Sequence, residues 1–314
     1  MNAGAAGPPD AAAIVGRASA ALLGLAVGDA LGATTEFMTP EEIRERYGVH
    51  DRIRGGGWLK LPPGAVTDDT EMSLCVARAI LARGRWDLHG VAEEFARWLQ
   101  GNPVDVGATC RRGIRDYILK RQLATPPNTW DAGNGAAMRV PPVALFALGD
   151  EDLLSRLAVE QARLTHNHPL SDASCVAVAK MIQRALLGSP LASLRAAAED
   201  LAGRHPEFRF EGYDGRATGY VADTLRTVFH AFFATRTFEE CLVRTVNRGD
   251  DSDTTGAIAG AIAGAHYGLE AIPRRWLRPL AVPLRKELAG AAERLIRLSP
   301  LFRDRSAGVA RRRG

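Results

Sequence analysis

Apolar positions recur every three to four residues through most of the chain, the period of a helix with one buried face. The spacing predicts helices over residues 70–82, 88–100, 111–123, 152–164, 174–187, 220–234 and 239–247. A short charged helix opens at Thr39-Pro40-Glu41-Glu42. No segment alternates with a period of two, no repeat of fixed length is present, and no glycine fingerprint of a dinucleotide-binding fold occurs. The pattern predicts an all-α, compact multi-helix domain with its chemistry on interhelical loops.

Two apolar segments depart from simple amphipathicity. Residues 18–32 carry Gly24, Gly28 and Gly32 on one face, and residues 256–268, the last predicted helix, carry Gly256, Gly260, Gly264 and Gly268. Glycine costs helix propensity, so such stripes make sense where backbones approach closely. Small-residue stripes also occur in membrane helices. These runs read as too short to span, and they end in Asp29, His266 and acidic loops. They are expected at the centre of a soluble bundle, packed so that their ends meet.

The polar breaks hold the candidate chemistry. Val66-Thr67-Asp68-Asp69-Thr70-Glu71 precedes one apolar run, and Gly249-Asp250-Asp251-Ser252-Asp253-Thr254-Thr255-Gly256 precedes another. Asp68 with Glu71 fits a capping box, so an ordinary helix start accounts for part of this. Capping needs one side chain, whereas these clusters pile up carboxylates that repel each other unless a cation sits among them. Brought together, they offer only hard oxygen ligands, which suit Mg²⁺ or Mn²⁺ better than zinc. Gly133-Asn134-Gly135 ahead of a helix expected at 136–139 exposes backbone N–H groups, either as a phosphate site or as a plain turn. Asp105 lies in a loop bounded by Gly101, Pro103 and Gly107. Glu36, and His166 in Thr165-His166-Asn167-His168, read on their own as loop residues.

Composition narrows the picture. The chain has 314 residues, 46% hydrophobic and 24% charged, as in a soluble globular protein. Residues 1–15 read as a frayed N-terminus without a signal peptide, 16–300 as a single domain, and 301–314 as a basic tail. Net charge is +4, much of it in Arg303, Arg305, Arg311, Arg312 and Arg313. Aromatics are 6% and do not interleave with basic residues, so nucleic acid is not an expected partner. Cys75, Cys110, Cys175 and Cys241 are widely spaced, which fits a reducing cytoplasm and no disulfide framework.

Taken in order, five motifs resemble the ADP-ribosylglycohydrolase family. They are Gly28-Asp29-Ala30-Leu31-Gly32 with Glu36, Thr67 to Thr70, Gly133 to Arg139, Thr165-His166, and Asp251 to Gly256. The resemblance implies an all-α fold around two divalent cations, Mn²⁺ or Mg²⁺, between helix ends. Thr67, Asp68 and Asp69 would hold one side of the pair, and Asp251, Asp253 and Thr254 the other. Asp250 stands where glycine is expected and is not assigned as a ligand. Glu36 would handle the water, and Asp105 would act on the ribose. Gly133, Asn134, Gly135 and Ala136 would cradle the diphosphate, His166 would sit beside it, and Tyr220, or failing it Tyr213, would face the substrate. The implied activity is removal of ADP-ribose from an arginine of a protein, with the nitrogenase iron protein as the expected target. Rival readings are a serine-linked or free-ester substrate, and an ADP-ribose-binding protein without turnover. The resemblance further implies a cytoplasmic monomer, controlled by a PII-type signal protein and by peripheral sequestration at a membrane ammonium transporter.

Overall fold

The computed structural model describes residues 10–303, so the outermost parts of the expected frayed terminus and basic tail lie outside the described residues. The first half of the chain forms α1 (Ala11–Gly32), α2 (Pro40–Tyr47), α3 (Asp68–Arg83), α4 (Leu88–Gln100), α5 (Ala108–Lys120), α6 (Pro141–Phe146) and α7 (Glu151–Arg163). The second half forms α8 (Pro169–Leu186), α9 (Leu191–Arg204), α10 (Val221–Ala234), α11 (Phe238–Val246), α12 (Ser252–Tyr267), α13 (Arg274–Leu277) and α14 (Val282–Leu298). Among the described residues there is no strand, only isolated bridges between Gly56 and Leu61 and between Gly133 and Tyr220.

The glycine stripes do what their spacing predicts. Helices α1 and α12 cross antiparallel with their backbones in contact. A Cβ at Gly24 would overlap the carbonyl oxygen of Gly260, one at Gly28 that of Gly256, and one at Gly32 that of Ser252. Both helices are buried nearly all round, and the other helices pack about this pair. Helix α1 is longer than the stripe. It starts at Ala11, capped by Asp10, and spans 22 residues, because Ala11 to Ala13 extend it at little cost. Its length and apolarity are enough to cross a membrane, which corrects the reading that it is too short. The C-terminal part of the helix is instead buried in protein against α12, α14 and α3.

The structure differs from the pattern elsewhere too. Helices α9, α13 and α14 lie outside the predicted set, and 256–268 is not the last helix, since α13 and α14 follow it. The helix expected at 136–139 does not form. Those residues make turns, with Ala137 and Met138 N–H both donating to Asn134 O, and the helix begins only at Pro141. Pro141 and Pro142 have no N–H to donate to the carbonyls of Ala137 and Met138, so a helix started at Ala136 could not be continued through them, and the two prolines instead open α6.

Candidate metal centre and substrate cleft

The antiparallel seam sets where the site lies. Because Gly32 meets Ser252, the residues leaving α1 are laid beside those entering α12. Ser252 Oγ donates to Gly32 O at 2.8 Å, and Thr35 Oγ1 lies 3.0 Å from both Ser252 Oγ and Val246 O. Phe37 N–H donates to Asp250 O at 2.7 Å, and Asp250 N–H to Met38 O at 2.9 Å. Glu36 is thereby held facing the start of α12.

The start of α3 is fixed by an acid of α1. Asp29 is fully buried and accepts from Thr67 N–H (3.1 Å), Thr67 Oγ1 (3.0 Å), Thr70 N–H (3.1 Å) and Thr70 Oγ1 (2.5 Å). Thr67, not Asp68, is the N-cap, accepting from Asp69 N–H at 3.4 Å. Glu71 accepts from the Trp98 indole N–H instead of closing a capping box. Asp68 is therefore the first helical residue, and its carboxylate is spared for another role. Sequence reasoning gave Asp29 no role. A lone acid on an otherwise apolar helix is rarely left unpaired inside a protein, and that was the available signal.

Carboxylates from four chain segments meet in front of these helix starts. Oxygen atoms of Glu36, Asp105 and Asp253 lie within 4.8 Å of one another. Asp105, expected as a substrate-facing loop acid, thus stands inside the acidic cluster. Asp68 Oδ2 accepts from Gly107 N–H at 3.2 Å, and Asp69 Oδ2 from Thr67 Oγ1 and Thr254 Oγ1 at 3.1 and 3.3 Å. Asp69 Oδ1 is buried without a partner. Among the described residues, none of these acids forms an ion pair with Lys or Arg. Burial, and then the neighbouring carboxylates, push Asp68 up to about 7 and hold Asp69 and Asp253 well above the carboxylate range. Burial raises Glu36 to about 8 against the lowering effect of its bond from Trp58. Carboxyl groups this crowded, which keep their protons until a cation takes the protons' place, an orphaned buried oxygen and an all-oxygen donor set fit divalent cations of the Mg²⁺ or Mn²⁺ kind. Asp250 points elsewhere and pairs with Arg216.

The acids form one side of a cavity of about 430 Å³, and Gly133, Asn134, Gly135, Cys110 and His166 line the other. Asn134 Nδ2 ties the two sides by donating to Asp251 Oδ2 at 2.8 Å and Thr224 Oγ1 at 3.0 Å. Among the described residues the N–H groups of Gly135 and Ala136 find no protein acceptor. The His166 ring lies against Gly133 and Gly135, where a Cβ would stand 3.0 Å from ring atoms. Behind it, the fully buried Arg139 donates from Nη2 to Thr165 Oγ1 at 2.8 Å, and Thr165 Oγ1 lies 2.7 Å from His166 Nδ1. With the arginine as donor, the Thr165 proton goes to Nδ1, a better acceptor than the nearby Cys110 sulfur. His166 then presents an Nε2–H to the cleft. Burial and the guanidinium groups of Arg139 and Arg112 hold it well below the usual histidine range, hence neutral.

Of the expected site residues, Glu36, Asp68, Asp105, Gly133, Asn134, Gly135, His166, Asp251, Asp253 and Thr254 line this one cavity. Thr67 and Asp69 are fully buried beneath it. Ala136 is buried and does not line it. Tyr220 is 40% exposed and sits outside the lining, while Tyr213 turns inward to Arg216 O and Asp223. Sequence reasoning also missed Arg139 and Trp58. Nothing in the pattern marks Arg139 as buried.

Comparison with known proteins agrees with this geometry. The family model for ADP-ribosylglycohydrolase matches residues 10–305. The chain is 50% identical over 285 residues to ADP-ribosyl-[dinitrogen reductase] glycohydrolase of Rhodospirillum rubrum, covering 91% of this chain and 97% of that one. It is 33% identical to ADP-ribosylarginine hydrolase Tri1 of Serratia proteamaculans (strain 568), covering 90% and 80%. A solved structure described as an ADP-ribosylglycohydrolase-related protein complex superposes with a TM-score of 0.81 at 36% identity, over 91% of this chain and 98% of that one.

Proposed function

The chain belongs to the ADP-ribosylglycohydrolase family, and from that premise we propose that it removes ADP-ribose from an ADP-ribosylated arginine of a protein. The target we assign is the nitrogenase iron protein, which hydrolysis would restore to activity. The observation that carries the reading is the two-sided cleft: an unpaired acidic cluster faces a donor-rich Gly133–His166 wall, in a chain half identical to the Rhodospirillum rubrum enzyme.

In this reading Thr67, Asp68 and Asp69 hold one divalent cation, and Asp251, Asp253 and Thr254 a second, either Mn²⁺ or Mg²⁺. Bound cations supply Lewis-acid stabilisation to ribose oxygens and to the attacking water. Glu36 accepts the proton of that water. Asp105 hands a proton to a ribose oxygen, or, given its place in the cluster, helps to hold the cations. The free N–H of Gly135 and the His166 Nε2–H receive the diphosphate, with Gly133 and Asn134 beside them. Tyr220 borders the substrate at the rim. The enzyme works in the cytoplasm as a monomer. Control by a PII-type protein and a membrane ammonium transporter is carried by family resemblance alone.

The test is release of free ADP-ribose from arginine-ADP-ribosylated iron protein with Mn²⁺, beside a serine-linked substrate and a chelator-treated control. Release from the arginine linkage only, lost with the chelator and restored by Mn²⁺, is expected. Preference for the serine linkage, or full activity without metal, overturns the reading.

A further inference from the structure

One wall of the cleft has no part in the chemistry above. Phe37 and Trp58 pack against each other with ring centroids 5.2 Å apart and planes inclined at 58°, and both line the cleft beside Glu36. Both stay exposed, at 66% and 51%. Phe37 has a φ of 61°, a left-handed backbone that a bulky side chain seldom adopts and that concentrates at functional sites. Its N–H donates to Asp250 O, and the carbonyl of the next residue, Met38, accepts from Asp250 N–H. Trp58 follows Gly55, Gly56 and Gly57, all at positive φ, and a Cβ at Gly57 would overlap the carbonyl oxygen of Ala33. The Trp58 indole N–H donates to Glu36 Oε2 at 2.5 Å. Glu36 Oε1 has no protein donor among the described residues. Two rings are thus fixed in position, under strain at one of them, and left in water.

The same three residues form the near side of a second groove of about 590 Å³, which runs on past Met38, Glu42 and Glu45. Glu42 is engaged with Thr39 N–H, whereas Glu45 is exposed. Arg46, also in the lining, stands over the Tyr47 ring at 5.4 Å. The far wall of the cleft, at Gly133 and His166, offers N–H donors to an anion. This near wall offers aromatic faces and carboxylates.

We propose that the Phe37–Trp58 wall is the leaving-group site, stacking the guanidinium of the target arginine, and that the adjoining groove takes the polypeptide carrying it. The proposal rests on the arginine-hydrolase reading and names its recognition element. A guanidinium is planar and weakly hydrated, and it stacks on aromatic faces while pairing with carboxylates. A serine- or ester-linked leaving group has no cation to offer. The wall therefore selects the linkage, a choice the cations cannot make, since they see only ribose.

The experiment measures agmatine binding to the ADP-ribose-loaded protein with Mn²⁺ by calorimetry, beside KM and kcat for free ADP-ribosylarginine and for the modified protein. Phe37→Leu keeps apolar bulk without the π face. It should weaken agmatine binding and raise KM by roughly 2- to 30-fold, the range of one cation–π contact, with ADP-ribose affinity retained. Phe37→Gly should show the same loss while melting higher, because it relieves the positive φ, an outcome a purely structural role would not give. Trp58→Phe keeps a ring but frees Glu36, so its effect should fall on kcat more than on agmatine. Glu45→Lys should raise KM for the modified protein more than for free ADP-ribosylarginine. An ADP-ribose affinity that falls in step with agmatine binding in Phe37→Leu, or no agmatine binding to the parent, overturns the proposal. If the parent does not cleave the arginine linkage, the functional reading fails, and the agmatine arm still decides the wall.

Discussion

The start of α3 reads Thr67-Asp68-Asp69-Thr70 and that of α12 reads Asp251-Ser252-Asp253-Thr254. Both put hydroxyls and acids at a helix start, and the two are held by different physics. Helix α3 is pinned by an acceptor: Asp29 gathers the N–H and hydroxyl groups of Thr67 and Thr70, and Thr67 caps the helix. Helix α12 has no side-chain cap. It is placed by backbone contact along the glycine seam, and on its cleft side by a donor, Asn134. One half of the centre is thus anchored by hydrogen bonds, the other by packing. Asn134 engages one oxygen of Asp251, and the carboxylates of Glu36, Asp105 and Asp253 serve neither device, which leaves them to a cation.

The largest effect should come from removing those carboxylates. Asp68→Ala or Asp253→Ala is expected to lower turnover roughly 10³-fold or more, the several kcal/mol that a lost Lewis acid represents. The metal-free variants should melt no lower than the parent, because a crowded buried acid has been removed. The rise in melting temperature on adding Mn²⁺ should shrink or vanish. Thermal melts with and without Mn²⁺, beside turnover, check this. A metal-free Asp68→Ala that melts far below the parent would make Asp68 a structural acid after all.

Next in size is the seam. Gly28→Ala forces a methyl into the carbonyl of Gly256, and overpacking of this kind costs ~1–3 kcal/mol or more. Because the seam sets the position of α12 and not that of the Asp29 cluster, metal affinity should fall along with stability. Denaturant melts and Mn²⁺ titration of the same variant decide it. A stability loss with Mn²⁺ affinity intact would mean that α12 is placed by something else.

Acidity divides the metal-free protein from the loaded one. Asp29 rises from 3.8 to about 6, Asp68 to about 7, and Glu36 from 4.5 to about 8, burial being the first cause in each. The folded chain therefore holds more protons than the unfolded chain between about pH 4 and 8, and its stability falls as pH rises through that window. Cations bind the deprotonated acids, so the stabilisation by Mn²⁺ should grow over the same range. Melting temperatures at pH 5 and pH 8, with chelator and with Mn²⁺, should diverge as pH rises. Parallel curves would rule out the buried acids as the cation site.

How much of this was legible in the sequence follows from the range of each interaction. The glycine stripes, the paired acidic starts and the Gly-Asn-Gly turn are local patterns, and each was found where it stands. The helix expected at Ala136 does not form because Pro141 and Pro142 lack the N–H groups that would carry it on, and prolines sit best at a helix start. The capping box at Asp68 failed because Asp29, 38 residues from Thr67 along the chain, supplies an acceptor that no local pattern shows. Arg139 shows the same limit. Its partners Gln161, Thr165 and Phe95 come from α7, the turn after it and α4, so its burial exists only in the fold. Asp105 is intermediate. Its loop was legible, but its closeness to Glu36 and Asp253 was not.

The smallest effect should separate the acceptor that holds α3 from the donor that holds α12. Asp29→Asn keeps the shape but cannot accept from two N–H and two hydroxyl groups as a carboxylate does, so the α3 start loosens. Supporting residues of this kind typically change metal affinity or activity by roughly 10–100-fold. Asn134→Ala removes a single amide that donates to Asp251 and Thr224. The backbone bonds of the turn, Asn134 N–H to Gly219 O and Ala137 N–H to Asn134 O, remain, and the glycine seam still places α12. The cost should be about 1 kcal/mol of stability, as for one ordinary hydrogen bond, with a loss of Mn²⁺ affinity smaller than in Asp29→Asn. Asn134→Asp turns the donor into an acid against Asp251. It should match Asn134→Ala at pH 5 and become worse toward pH 8, unless Mn²⁺ is present to screen the pair. Mn²⁺ titration of the three variants at both pH values tests the ranking. If Asn134→Ala loses Mn²⁺ as completely as Asp253→Ala, the α12 half is held by hydrogen bonding rather than by the seam, and the contrast between the two helix starts disappears.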